Sequence, residues 1–172
     1  GFQLWINLPA REKMKPAGYR DIPPSDIPSV TLSAGGAVKI IAGVFEAQGS
    51  VTLGPVQGIS TEPQFLDVTL PAGATFHHAL PSEHSVYVYV YEGSAAFGPD
   101  AERRSVSAHE GGVLSEGAAV TAVAGDEGAR FLLLAARPLR EPIVQYGPFV
   151  MNTREEIEQA IRDDQSGEFV KA

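Results

Sequence analysis

Apolar and polar residues alternate along much of this chain with the two-residue period of β-strands. Between Ser85 and Tyr91 three valines fall on one face and three tyrosines on the other, and Leu66, Val68 and Leu70 also share one face. A largely apolar run spans residues 38–45. Further strands are predicted at residues 94–97, 112–114, 119–123, 131–136 and 143–145. Short strands separated by Gly- or Pro-marked turns indicate an all-β sandwich or small barrel.

Near the end of the chain the apolar period changes to that of a helix. Thr153 and Glu156 form a T-x-x-E capping box, in which each side chain can bind the other residue's backbone N–H. The apolar stripe that follows consists of Ile157, Ala160 and Ile161. Residues at this spacing share one helical face. We therefore predict a helix from about Arg154 to Asp164 that ends near Gly167.

The first residues also alternate, which predicts a strand over residues 1–8. Its apolar face consists of Phe2, Leu4, Ile6 and Leu8. Because an unpaired apolar strand is prone to aggregate, we expect this strand to belong to a preceding domain. Residues 9–28 contain five prolines and read as an extended linker. The linker carries a basic cluster that we interpret as a solvated loop: Arg11, Lys13, Lys15 and Arg20.

Composition and charge narrow the class of protein. The chain has 172 residues, 44% of them hydrophobic, which is enough to bury a single core. It has no cysteine, which excludes disulfides, thiolate metal ligands and cysteine nucleophiles. A net charge of -8 repels phosphate backbones, so we expect no direct nucleic-acid binding. No apolar stretch approaches the length of a membrane span, and we expect a cytoplasmic protein with no membrane partner.

Glycines in the middle of the chain keep a known spacing. Gly73 and Gly93 stand at the ends of the pattern G-x5-H-x-H-x4-E-x6-G, and Gly117 and Gly125 match G-x5-P-x-G-x2-H-x3-N. These patterns are the two motifs of metal-binding cupins, so the chain resembles a cupin scaffold. The positions that usually carry His, Glu, Pro or Asn hold Ala79, Pro81, Val86, Val123, Gly128 and Leu132. None of these side chains is a metal ligand, so the spacing predicts a cupin barrel without the cupin metal site.

The histidines are the remaining candidates for metal binding. His77 and His78 are adjacent, so on a strand they point in opposite directions and cannot share a metal. A site built from His84, Glu83 and His78 is the candidate that we keep open. The alternative that we favour is that these are ordinary turn or surface histidines. We interpret His109 as a loop residue.

The sequence leaves two points open: what the three tyrosines of residues 85–91 face, and whether the barrel interior holds a ligand. The valines are expected to fill the barrel, while Tyr87, Tyr89 and Tyr91 cover an outer layer or an interface between domains. The alternative is a partly solvated sheet face. A small barrel can also hold one small molecule. Its apolar lining would then consist of Ala79, Val86, Val123 and Leu132. We assign no catalytic and no cofactor-binding residue, because no nucleophile triad, phosphate loop or paired carboxylate is present in the sequence.

Two longer strings carry a family resemblance. LREPIVQYGPFVMNTREEIEQAI, from Leu139 to Ile161, resembles the C-terminal signature of pirins, which are two-cupin proteins. The opening GFQLWINLP is similar to the segment that joins the two pirin cupins. The resemblance implies a cupin-type double-stranded β-helix, or jelly-roll barrel, with a C-terminal α-helix. We place the barrel at residues 29–150 and the helix and tail at residues 151–172.

The resemblance also implies where metal chemistry would lie. Pirins bind one iron or another divalent transition metal through three His and one Glu of their N-terminal cupin, which would precede Gly1. None of those ligands maps onto this chain, so we expect no cofactor here. Several bacterial pirins resemble quercetin 2,3-dioxygenases, which open a flavonol ring with O2. Others are regulatory proteins, including transcriptional cofactors and modulators of metabolic enzymes.

Three functions follow as expectations. The first is the metal-free half of a pirin-like protein, whose partners are its own N-terminal cupin and, for the full-length protein, a flavonol-type small molecule. The second is an interaction module that binds a regulatory or metabolic protein. The third is an independent cupin that binds a small molecule or, weakly, a metal. We favour the first.

Overall fold

The computed structural model describes residues 1–170 and confirms an all-β chain with a C-terminal helix. Its strands are β1 Ser29–Thr31, β2 Ala37–Ala42, β3 Val44–Ala47, β4 Ser50–Leu53, β5 Gln64–Leu70, β6 Thr75–Ala79, β7 Ser85–Phe97, β8 Arg104–Ser107, β9 Glu110–Leu114, β10 Ala119–Ala136, β11 Val144–Tyr146 and β12 Phe149–Met151. The helix, α1, runs from Arg154 to Ser166. Short 3-10 turns occupy Ala10–Glu12 and Pro24–Asp26.

One long strand, β10, joins the two parts of the main sheet. The order of this eight-stranded sheet is β1-β2-β5-β10-β7-β8, and β6 also pairs with β10 while β9 pairs with β7. The first residues of β10 pair with β6 and its last residues pair with β5, while β7 follows it along both parts. The register shifts between Ala124 and Ala129. Because an irregularity of this kind bends a strand, β10 can serve both layers of a jelly roll.

The inward faces of these strands form one apolar core. Its fully buried members include Ile40, Leu66, Val68, Val88, Val90, Phe131 and Leu133. On β7 the valines at positions 86, 88 and 90 face this core, whereas Tyr87 is 40% exposed. The alternation predicted for residues 85–91 is confirmed, and so is that of β5. The separate strand predicted at residues 94–97 is the end of β7.

Two glycines allow β7 and β10 to approach each other closely. Gly93 has φ +67° and pairs with Ala129, and a Cβ added to it would lie 2.1 Å from the carbonyl oxygen of Gly128. Gly128 itself has φ +81° at the bulge of β10. Side chains are disfavoured in this left-handed region and would collide here. The motif glycine Gly93 is therefore required by backbone packing.

The chain divides into two compact units, Ile22–Pro138 and a second one formed by Gly1–Asp21 with the residues from Leu139 onward. The first unit holds β1 to β10, and the second holds β11, β12 and α1. The boundaries predicted at residues 28 and 150 stay predictions. Of the residues that the structure describes, none belongs to a helix long and apolar enough to cross a membrane.

The second unit has its own small core under α1. Met151, Ile157 and Ala160 are buried together, and Phe149 lies edge-on to Phe169 with ring centroids 5.2 Å apart. The capping box of Thr153 and Glu156 is present, and Gly167 ends the helix in the left-handed conformation. The predicted helix is confirmed, with its last residue two positions beyond the predicted end.

The basic cluster is less uniform than predicted. Lys13 is half-buried, and its Nζ donates to Asn7 Oδ1 at 2.6 Å and to the Val150 carbonyl at 2.8 Å. Burial outweighs the attraction of nearby carboxylates and lowers the pKa of Lys13. The interpretation of a solvated loop is therefore wrong for Lys13, because its ammonium ties the 3-10 turn to β12. Residues 1–9 lie outside any strand in the structure, and Trp5 is 71% exposed.

Candidate functional site

The first cupin motif is displaced by one residue from the face that lines the barrel. Along β6 and the turn after it, Phe76, His78 and Leu80 are buried, while Ala79 and Pro81 are exposed. Ala79 and Pro81, which hold the two His positions of the motif, therefore do not face the core. Motif spacing counts residues but does not set the phase of the strand, which follows here from the packing of Phe76 into the core.

The apolar lining predicted for a cavity is not assembled either. Of its four members only Val86 belongs to the core cluster. Ala79 is exposed, Val123 is half-buried, and Leu132 pairs with Tyr89 on the face opposite Phe131 and Leu133. The core face of β10 carries Val120, Ala122, Ala124, Ala129, Phe131, Leu133 and Ala135 instead. The prediction failed because its positions were taken from the spacing of the cupin motifs and not from the alternation of buried and exposed residues along the strands.

Aromatic rings fill the part of the barrel interior next to β6. The Phe45 and Phe76 rings stack at 6.1 Å, and Phe131 meets Phe76 and Phe97 edge-on at 5.6 Å and 5.1 Å. Edge-on and stacked pairs at these distances are favourable beyond the area that they bury. The rings occupy space that a ligand would otherwise take in a small barrel.

His78 lies against this aromatic cluster. Its ring is 5.2 Å from that of Phe45, its exposure is 3%, and its Nε2 has no hydrogen-bond partner. Burial, together with the neighbouring His77, lowers the pKa of His78 to about 4. The imidazole is therefore neutral near pH 7 and packs as part of the core. His77 is exposed, which confirms that the two histidines face opposite ways.

A second buried histidine lies at one end of the barrel, which we call the mouth. Gln64 pairs with Ala135 and Ser85 with Ala136, so the same registers carried further place Glu62 and His84 on either side of Arg137. The His84 side chain is 1% exposed, and its Nε2 is 3.7 Å from Glu62 Oε2.

The other carboxylate oxygen of Glu62 accepts a hydrogen bond from Arg137 Nη2. The backbone N–H of Arg137 also donates to the carbonyl of Thr61 at 2.9 Å. The mouth therefore holds a carboxylate between a guanidinium and a buried imidazole. Within the described residues, both ring nitrogens of His84 lack a hydrogen-bond partner.

The metal candidates from the sequence are not brought together. Glu83 is exposed, and the carboxylate beside His84 is that of Glu62. Across residues 1–170 no group of three or more His, Asp or Glu side chains could hold a metal ion. His109 is exposed in the turn between β8 and β9 with φ +70°, as expected for a loop residue.

Glu62 and Arg137 were not found from the sequence. They are 75 residues apart, and no local motif joins them. Only the register of β5 against β10 brings Glu62 beside Arg137. We call the side-by-side residues Glu62, Arg137 and His84 the row at the mouth. The one signal in the sequence for this pair was that Glu62 and Arg137 are charged residues next to the apolar strands β5 and β10.

The outer face of the sheet carries a polar network around Tyr91. Its hydroxyl donates to Asp67 Oδ1 at 2.5 Å, and the Arg130 guanidinium lies 5.0 Å from its ring centroid. Burial and then the Asp67 carboxylate raise the pKa of Tyr91 to about 12. Arg130 also pairs with Glu92 at 3.0 Å. This network ties together β5, β7 and β10.

The second unit contains a small cleft beside α1. Its volume is about 110 Å³, and it is lined by Ala10, Lys13, Met14, Met151, Glu156, Gln159, Ala160 and Asp163. The floor is apolar and the helix side is acidic. Lys13 and Glu156 are already engaged in the contacts described above.

The jelly-roll topology, together with glycines at the cupin motif positions, defines this chain as a cupin. A family model described as the pirin C-terminal cupin domain matches residues 65–170. The chain therefore belongs to the pirin family, as its terminal strings predicted.

Known relatives agree with this assignment. A Pseudomonas aeruginosa protein named "Putative quercetin 2,3-dioxygenase" is 48% identical over 97% of this chain and 58% of its own length. Human pirin is 37% identical over 95% of this chain and 54% of its own. The crystal structure of quercetin 2,3-dioxygenase from Acinetobacter baumannii is 34% identical and superposes with a TM-score of 0.83, covering 96% of this chain and 55% of that one. This chain thus spans a little over half the length of these relatives.

Proposed function

We propose that this chain is the metal-free, C-terminal half of a pirin-type bicupin and supports an N-terminal metal cupin that acts like a quercetin 2,3-dioxygenase. The observation that carries the proposal is the filled interior. Phe45, Phe76 and Phe131 pack where a ligand-binding cupin would keep open space.

The donor set of this half does not suit a resident transition metal. His78 and His84 are the two buried histidines of the described chain, and one of them packs against an aromatic ring while the other faces the Glu62–Arg137 pair. A catalytic metal site in proteins usually offers three or more His or carboxylate ligands. We therefore assign no step of the reaction to residues of this chain.

In this proposal the chain acts through packing. A metal in the other cupin would supply the chemistry of O2 and the flavonol, and this half would keep that cupin folded and close one side of its substrate cleft. The names of the two quercetinase-like relatives support the substrate class, and their greater length leaves room for a second cupin.

The test compares the chain alone with the same chain fused after the part of the Pseudomonas aeruginosa relative that it does not cover. Transition-metal content and quercetin-dependent O2 uptake are measured for both. We expect a stoichiometric metal and O2 uptake in the fusion and neither in the chain alone. Metal and activity in the chain alone would contradict the proposal.

A regulatory role is the second candidate, favoured by exposed apolar surface. Phe2 and Trp5 are 54% and 71% exposed, and the cleft beside α1 has an apolar floor. Large exposed aromatic side chains are common at protein interfaces. A fusion that holds metal but leaves quercetin unchanged, together with specific capture of a metabolic enzyme or transcription factor by this chain, would favour this role.

A further inference from the structure

The carboxylate of Glu62 occupies the mouth of the barrel in the manner of a bound ligand. One of its oxygens contacts the Arg137 guanidinium, and the other lies 3.7 Å from His84 Nε2. Its side chain is 57% exposed and that of Arg137 is 49% exposed, whereas the ring of His84 is 1% exposed. The row therefore runs from solvent into the protein and ends on a buried imidazole.

Residues 60–62 combine a strained backbone with buried polar groups. Glu62 has φ +50°, a left-handed conformation that non-glycine residues rarely adopt. The hydroxyls of Ser60 and Thr61 are buried and find no hydrogen-bond partner in the part of the chain that the structure describes, and the same holds for both ring nitrogens of His84. Backbone strain and unpaired polar groups of this kind concentrate at ligand sites and switches.

We propose that the mouth of the barrel is a binding site for a small organic carboxylate and that Glu62 is its internal competitor. An incoming carboxylate would take the place of the Glu62 carboxylate on Arg137, whose planar fork suits two oxygens of one carboxylate. It would also accept a hydrogen bond from the buried ring of His84.

Charge favours an anion once Glu62 has left. Among residues 1–170 Glu62 is the carboxylate that pairs with Arg137, and the His84 ring carries at least one N–H donor. Among the flanking groups Glu83 is exposed beside His84 and carries the opposing charge. This site is separate from metal chemistry, so its test does not depend on the role proposed above.

The experiment follows the ring nitrogens of His84 by NMR while sodium acetate is added to the full chain near neutral pH. Glu62→Gly removes the carboxylate and suits the left-handed backbone, so this variant is expected to fold. Glu62→Gln keeps the size of the side chain without its charge. The matched control is Glu92→Gln. This variant removes the ion pair of Glu92 with Arg130, which lies on the outer face of the sheet and not at the mouth.

We expect acetate to shift the His84 signals of Glu62→Gly. The shift should saturate at a roughly tenfold lower acetate concentration than in the wild type, because the Glu62 carboxylate no longer competes for Arg137. Glu62→Gln should lie between them, Glu92→Gln should behave as the wild type, and adding Arg137→Gln to Glu62→Gly should abolish the response. Equal responses of Glu62→Gly and the wild type, or a response that survives Arg137→Gln, would overturn the proposal.

Discussion

Buried histidines set the behaviour of this barrel at the scale of single residues. His78 is neutral near pH 7 because burial against Phe45 and the neighbouring His77 lower its pKa. His84 is equally buried but faces Glu62 across 3.7 Å. The sequence shows two histidines six positions apart, and only their surroundings separate a core side chain from a candidate ligand group.

Acid should destabilise the fold through His78. The unfolded ring has a pKa of 6.5 and the folded ring one of about 4, so below pH 6.5 the unfolded chain gains a proton that the folded chain does not. Stability is therefore lost as pH falls from about 7 to 4, by up to about 3 kcal/mol from this group. His78→Leu should remove that part of the pH dependence, measured by urea unfolding at about pH 7 and about pH 4.5.

His77→Gln is the control for this prediction, because His77 is exposed on the same strand. It should reduce the pH dependence only slightly, because burial, which this variant keeps, lowers the pKa of His78 more than the charge of His77 does. The account of His78 fails if His78→Leu loses as much stability on acidification as the wild-type chain does.

At the scale of secondary-structure elements, β7 depends on a glycine that the cupin motif also requires. Gly93→Ala should destabilise the chain by more than about 2 kcal/mol, because the new Cβ meets the Gly128 carbonyl in a left-handed backbone. Gly49→Ala is the matched control, since Gly49 has φ +75° but open space around its Cα. It should cost only about 1 kcal/mol. Chemical denaturation compares the two, and equal losses would refute a packing role for Gly93.

The helix α1 offers a second test at this scale. Thr153→Ala removes the side-chain acceptor of the Glu156 N–H and should cost about 1 kcal/mol. Thr153→Ser keeps the acceptor and should restore most of the stability. Thermal unfolding followed by helical circular dichroism measures both, and an unchanged midpoint for Thr153→Ala would show that the capping box is not a stabilising element.

Element types were predictable from the sequence wherever the local pattern was complete. Residues 85–91 of β7 alternate perfectly, and α1 carries its capping box and apolar stripe within nine residues, Thr153 to Ile161. The phase of β6 was not predictable, because Phe76, His77, His78 and Ala79 give no clean alternation. The row at the mouth was invisible, because it depends on the pairing of Glu62 and His84 with the end of β10.

At the scale of the whole molecule, the chain is a cupin that spans a little over half the length of the relatives compared above. Its interior is packed with aromatic and aliphatic side chains, and its two units each have a core of their own. Two glycines fit this picture: the motif glycine Gly93 and Gly128, which holds the motif's His position, both allow a close approach of backbone. The central claim is that this half is built to support metal chemistry without taking part in it.

Elemental analysis of the purified chain, after incubation with Fe²⁺, Ni²⁺ or Zn²⁺ and removal of free metal, tests that claim most directly. We expect far less than one metal ion per chain for each metal and no difference between the wild type and His84→Ala. A stoichiometric transition metal that is lost in His84→Ala would contradict the claim and would make this barrel a metal-binding cupin in its own right.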